Sequence, residues 1–387
     1  MSLALFFINM NKNNKDLHTK IEIEGQPNLW IETLHSIMNN DQILEFFNLI
    51  YDKEHLNIVL TGAGSSAFIG ESIEHLFRFR QGFTAKAIPT TTLVTHFNSY
   101  IDTSVPLLLI SFARSGNSPE SIATVDIAES QCEEVYHIAL TCNQTGQLAQ
   151  KIQELSNGLT ILLPPDSEDK GLAMTGSFTS MILSAIYLSN HSKSENLLPL
   201  IEQIAEDTRK IIDTAAPALK EIAGKDFNRI VFLGSGPLLG IARESHLKVQ
   251  ELTDGIVVGK FDSFLGFRHG PKAVVNEKTL LVFLFSSDMN VFRYEKDLVE
   301  DILQDGIAMS CIGVFYNQLQ ADELPLNLNI ICKNGTNFEP SAFDLLPYVV
   351  PAQILGFYKS LDLGLNPDSP SKNNAISRVV KGVTIYN

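Results

Sequence analysis

Two stretches of the chain, NIVLTGAGSSAFIG from Asn57 and RIVFLGSGPLLGIA from Arg229, follow one pattern. Each runs from apolar and β-branched residues into a G-x-G turn and then into a helical spacing. A strand that is apolar throughout has both faces covered, and a glycine turn lets the backbone step tightly from strand to helix. A second apolar strand follows each one, PLLLISFARSG near residue 110 and TLLVFLFSSD near residue 285. VYHIALTCN and GLTILLPP continue the first series, and AMSCIGVFYN and LNIICKN continue the second. Strands alternating with helices in two matching halves predict an α/β protein with two doubly wound parallel sheets.

At 387 residues the chain is also too long for one ordinary core. The expected division is an N-terminal helical segment (1–44), a first α/β domain (45–205), a second (206–365) and a C-terminal tail (366–387). Neither glycine turn is a full G-x-G-x-x-G with an acidic residue at the right distance, which argues against a dinucleotide site.

With 44% hydrophobic and 19% charged residues the chain reads as a soluble globular protein, and its apolar runs are too short for a membrane helix. The N-terminal run LALFFI has no basic segment before it and no clear cleavage site, so no signal peptide is expected. Cys132, Cys142, Cys311 and Cys332 are scattered without a CxxC pair, as in a reduced cytoplasmic protein. A formal net charge of −15 argues against a nucleic-acid surface, which needs a basic face. It also means that any phosphorylated ligand must be held by local donors. The nine histidines show no HxH or HExxH spacing, so no metal is expected, and nothing calls for a cofactor.

The stretch SFARSGNSPES, from Ser111, steps out of a buried strand into small hydroxyl side chains and one arginine. On composition alone it is either a solvated turn or an anion cradle at a helix N-terminus. The second half lacks such a stretch; its strand ends in SSD. It carries instead ESHLKVQELTDG, read as a helix with Lys248 and Glu251 on one face. Such a pair is most often an exposed surface ion pair. His269, in FRHGP, sits beside a Gly-Pro turn, where an imidazole can be a structural partner or can meet a ligand. Lys381 lies in the tail segment VVKGVTIYN.

Taken in order, TGAGSSAFIGES, SFARSGNSPES, EDKGLAMTGSFTSM and LGFRHGPKAVV resemble the sugar isomerase (SIS) domain family, and more narrowly its tandem AgaS-type members. The resemblance spans nearly the whole chain, from EIEGQPNLW to VVKGVTIYN. It implies flavodoxin-like SIS domains and a phosphorylated sugar as substrate. It implies that Ser66 and the run Arg114, Ser115, Gly116, Asn117 and Ser118 contact the phosphate, with Thr175 and Lys248 on the ligand side. In the related isomerase half of glucosamine-6-phosphate synthase, the glutamate matching Glu251 moves a proton between C1 and C2. A carboxylate suits that task when burial brings its proton affinity towards neutral. The histidine matching His269 opens the sugar ring from a neighbouring subunit, and the lysine matching Lys381 forms a Schiff base.

The chain departs from the synthase at three places: Ala113 stands for a serine, Arg114 for a glutamine and Gly266 for a glutamate. Arginine at 114 suits a phosphate through its planar fork of donors. The resemblance thus implies one phosphate site per chain and an active site shared within a homodimer or larger homo-oligomer. The implied reaction converts a hexosamine 6-phosphate to a ketose 6-phosphate and ammonia. A plain aldose–ketose phosphate isomerase and a non-catalytic sugar-phosphate sensor are the alternatives.

Overall fold

In the computed structural model, which describes residues 16–50, 52–78, 81–189, 197–334, 340–379 and 383–386, the two strand–glycine–helix stretches start two separate sheets. Helices α1 (His18–Met38) and α2 (Asp41–Ile50) come first. Ile43, Phe46, Phe47 and Ile50, at the spacing of one helical face, bury the apolar side of α2.

The first sheet series is β1 (Leu56–Thr61), α3 (Ser65–Ile73), β2 (Phe83–Ala87), α4 (Thr90–Tyr100), β3 (Leu107–Ala113), α5 (Pro119–Gln131), β4 (Val135–Thr141), α6 (Gln147–Gln153) and β5 (Gly158–Leu162). Helix α7 (Gly176–Ser189) comes next. After α8 (Leu197–Ala223) the second series is β6 (Arg229–Gly234), α9 (Pro237–Leu252), β7 (Val258–Asp262), α10 (Phe264–Phe267) and β8 (Thr279–Leu284). It ends with α11 (Met289–Asp305), β9 (Ser310–Phe315), α12 (Gln318–Ala321), β10 (Leu328–Ile331) and α13 (Val350–Asp362).

Every strand pair is parallel, in the orders β2-β1-β3-β4-β5 and β10-β9-β8-β6-β7. The expected α/β class with two doubly wound sheets is therefore what the chain forms. Strands β3 and β8 are central and buried at every residue, which is why both read as unbroken apolar runs. Phe283, Phe285 and Phe315 pack the core of the second sheet, the last two stacked at 4.4 Å. Strands β2 and β7 were not foreseen. Each is a short, incompletely buried edge strand (FTAKA and VGKFD), and neither carries an apolar run.

The chain divides into two compact units, each built around one sheet. Of the described residues, one comprises those of Leu29–Glu168 and Ser177–Glu202 with those after Arg378; the other comprises those of Gln203–Arg378 with Asp169–Gly176 and those up to Asn28. In the second, Asp368 accepts hydrogen bonds from the N–H groups of His18 and Thr19 and from the Thr19 hydroxyl. This carboxylate satisfies donors that the first turn of α1 cannot pair internally. Among the described residues no helix is long and apolar enough to cross a membrane.

Candidate active site

Both glycine turns have the same backbone form but lead into different side chains. Gly64 and Gly236 adopt left-handed φ values of 58° and 53°, a conformation that glycine takes at little cost. In the first turn Ser65 and Ser66 begin α3, both buried. In the second, Pro237 begins α9 and Leu238 stands where Ser66 does. At the first residues of the helix, the hydroxyls are thus found in the first sheet alone.

Strands β1 and β3 lie side by side, with Thr61 beside Ser111, and chain connections leave them towards opposite edges of the sheet. Turns that leave such a pair flank a crevice at the carboxyl end, the usual ligand position in open α/β sheets. The turn after β3 is well defined. Arg114 is only 7% exposed, so it is no solvent-facing surface arginine. The Asn117 N–H donates to Ser115 Oγ at 3.3 Å, and Gly116 turns the chain with a φ of 66°. Ser118 precedes α5, Pro119 takes its first position, and the Ser118 hydroxyl donates to Glu120 at 2.7 Å.

The loop after β4 holds this turn from behind. Asn143 Nδ2 donates to the Ser115 carbonyl at 3.1 Å, the Leu148 N–H to the Gly116 carbonyl at 2.9 Å, and the Gln147 N–H to Asn117 Oδ1 at 3.1 Å. A Cβ on Gly146 would come within 2.5 Å of the Ser115 carbonyl oxygen, so only glycine permits this approach. Reasoning from sequence missed Asn143, Gly146 and Gln147. The available signal was TCNQTGQ, a further strand running into a polar glycine turn.

In the second unit, α9 carries a buried charge cluster. Glu244, Lys248 and Glu251 are spaced i, i+4 and i+7 and therefore share one face. Lys248 Nζ lies 2.7 Å from Glu251 Oε2 and 3.1 Å from Glu244 Oε1. Lys248 and Glu244 are fully buried, whereas the Glu251 side chain stays 24% exposed. Burial alone favours a neutral amine, but the two carboxylates outweigh it and hold the Lys248 pKa above its ordinary value. The surface-pair reading of Lys248 and Glu251 is thereby replaced by a cluster with one open end, at Glu251. Glu244 was the third member that went unread, one helical turn before Lys248.

His269 is exposed on the turn after α10. Arg268, before it, pairs with Asp301 and, at 2.8 Å, with Asp297, both on α11; Lys272 pairs with Asp305 at 2.6 Å. These ion pairs fasten the turn on both sides of the histidine. A Cβ on Gly266 would meet Ser263 Oγ at 2.6 Å and Asp262 Oδ1 at 2.8 Å, so a glutamate here would require those side chains to move.

Thr175 is fully buried, and its N–H and hydroxyl donate to the two carboxylate oxygens of Asp169 at 2.9 and 2.8 Å. It helps to begin α7, a local role that a motif match does not show. Lys381 lies outside the described residues. The structure thus gathers Ser66 and Arg114–Ser118 at the first sheet, and Lys248 with Glu251 on α9.

The SIS domain family matches residues 49–189, the stretch that holds the first sheet and its serine turn. The D-galactosamine-6-phosphate deaminase AgaS of Escherichia coli O157:H7 is 38% identical over 379 residues, covering 95% of both chains. This chain belongs to the AgaS family of SIS-domain proteins. Among solved structures, a tagatose-6-phosphate ketose/aldose isomerase from Escherichia coli superposes with a TM-score of 0.86 at 35% identity, covering 97% of each chain. A candidate tagatose-6-phosphate ketose/aldose isomerase from Clostridium novyi NT gives 0.91 at 38%, covering 96% and 95%.

Proposed function

We propose that the chain is an enzyme that converts a hexosamine 6-phosphate, best matched by galactosamine 6-phosphate, to a ketose 6-phosphate (tagatose 6-phosphate) and ammonia. The observation that carries this reading is the 38% identity to an AgaS deaminase along 95% of both chains. The turn at Arg114–Ser118, with Ser66, holds the phosphate through backbone N–H groups, hydroxyls and a guanidinium. His269 protonates the ring oxygen and frees the C1 aldehyde. Glu251 then takes the proton from C2 and returns it to C1, moving the double bond and leaving a C2 ketimine. Water adds to that carbon and the nitrogen departs as ammonia, so sugar phosphate plus water gives ketose phosphate plus ammonia. Lys248 holds the Glu251 carboxylate in place, and Glu244 balances the lysine.

The same proton transfer on a neutral sugar phosphate would be a plain isomerisation, the activity that the related Escherichia coli structure is named for. An ammonia-release assay over amino-sugar and neutral-sugar phosphates separates the two. Ammonia and ketose in equal amounts from galactosamine 6-phosphate are expected. Ketose without ammonia would favour the isomerase, and binding without turnover would overturn the enzymatic reading.

Ser115→Ala together with Arg114→Ala should raise KM chiefly, by roughly a hundredfold or more, because charge-assisted hydrogen bonds contribute about 1.5–3 kcal/mol each. An effect confined to kcat would count against a ground-state cradle. We further propose a homo-oligomer in which His269 serves a neighbouring chain. Mixed oligomers of His269→Ala and Glu251→Gln chains should then regain activity; none, in verified mixtures, would indicate sites built within one chain. A reducing cytoplasm suits four cysteines, all among the described residues, that form no disulfide.

A further inference from the structure

The second sheet has the same architecture at the place where the first holds its cradle. Strands β6 and β8 are neighbours, Gly234 lies beside Leu284, and connections leave the two strands towards opposite edges of the sheet. Counting onward from matching glycines, Ser235 stands where Ala63 does, and Ser286 and Ser287 stand where Arg114 and Ser115 do. This is the position at which an open α/β sheet takes a ligand.

Here the donors already have a carboxyl group. Glu295, two turns into α11, is fully buried, and its Oε2 accepts the Ser286 N–H at 2.8 Å. The Ser235 hydroxyl also bonds to this carboxylate. Its other oxygen, Oε1, is buried without a hydrogen-bond partner. The crevice is closed around it: Tyr348 donates to the Phe285 carbonyl and Gln320 to the Ser286 carbonyl, both at 2.8 Å. Burial, with Asp288 nearby, pushes the Glu295 pKa up to about 7, against the pull of the Ser286 N–H and the Ser235 hydroxyl.

We propose that the second sheet retains a ligand crevice, closed by the Glu295 carboxyl group in the place where a ligand's acidic group would sit. Shortening this side chain should open the crevice to small oxyanions, acetate first and inorganic phosphate second. The proposal borrows the reading of the first-sheet turn as a cradle, but its readout is stability, so it can fail while the enzymatic reading stands.

The test is Glu295→Ala in a chain that also carries Arg114→Ala and Ser115→Ala, which removes the first cradle from the measurement. Acetate should raise the Tm of this variant by several degrees in a saturable way, and leave the parent with Glu295 intact unmoved at equal ionic strength. An unmoved Tm, or an equal shift in the parent, would overturn the proposal. Where Glu295→Ala does not fold alone, expression and refolding with acetate should recover it. Failure to recover it, while Glu295→Gln folds, would overturn the proposal too.

Discussion

Glu251→Gln is expected to reduce kcat by about a thousandfold or more, within the range that a positioned general base contributes, and to leave KM nearly unchanged. Glutamine matches glutamate in size and can still accept a hydrogen bond from Lys248, which lies 2.7 Å from Glu251 Oε2. What it lacks is the ability to take a proton from carbon. Equal losses in kcat and kcat/KM mark an interaction made only in the transition state. Steady-state kinetics on galactosamine 6-phosphate, with binding followed separately by titration, checks both halves of the expectation. Turnover at the native rate would remove Glu251 from the mechanism.

Lys248→Met should be the most damaging single change to stability. The methionine fills a similar volume, but Glu244, fully buried, would lose the ammonium 3.1 Å away. Breaking a buried ion pair from one side typically costs about 3–5 kcal/mol, because the remaining charge stays in a dry site. Urea denaturation with an unchanged m-value measures this directly. Adding Glu244→Gln removes the stranded charge and should recover most of the loss. A cost below about 1 kcal/mol, the scale of an exposed pair, would mean that water reaches the cluster.

The framework could be read from the sequence because its signals are local. Apolar runs such as VPLLLI and TLLVFLF are strands buried on both faces, and each leads through a turn into a helix. Edge strand β2 alternates, but only over the five residues FTAKA, and β7 (VGKFD) shows neither a run nor alternation, so both escaped. The serine turn was legible as a candidate, but its backing by Asn143 and Gly146 was not, since those contacts join segments about thirty residues apart. Charge on α9 misled in another way. ESHLKVQEL has the composition of a solvated helix, and only packing shows that two of its charges are dry. Thr175 shows the reverse case: the motif marks the residue, and the fold reveals Asp169 as its partner.

The backing of the Arg114–Ser118 turn has a kinetic consequence. Because the loop after β4 fixes the Ser115 and Gly116 carbonyls, the shape of this rim is set when the chain folds. A phosphoryl group binding there, as proposed, would order little backbone, which keeps the entropic penalty of association small. Capture should resemble docking onto a rigid surface, with an association rate governed by diffusion and by the repulsion of a net −15 protein. Added salt should therefore speed it.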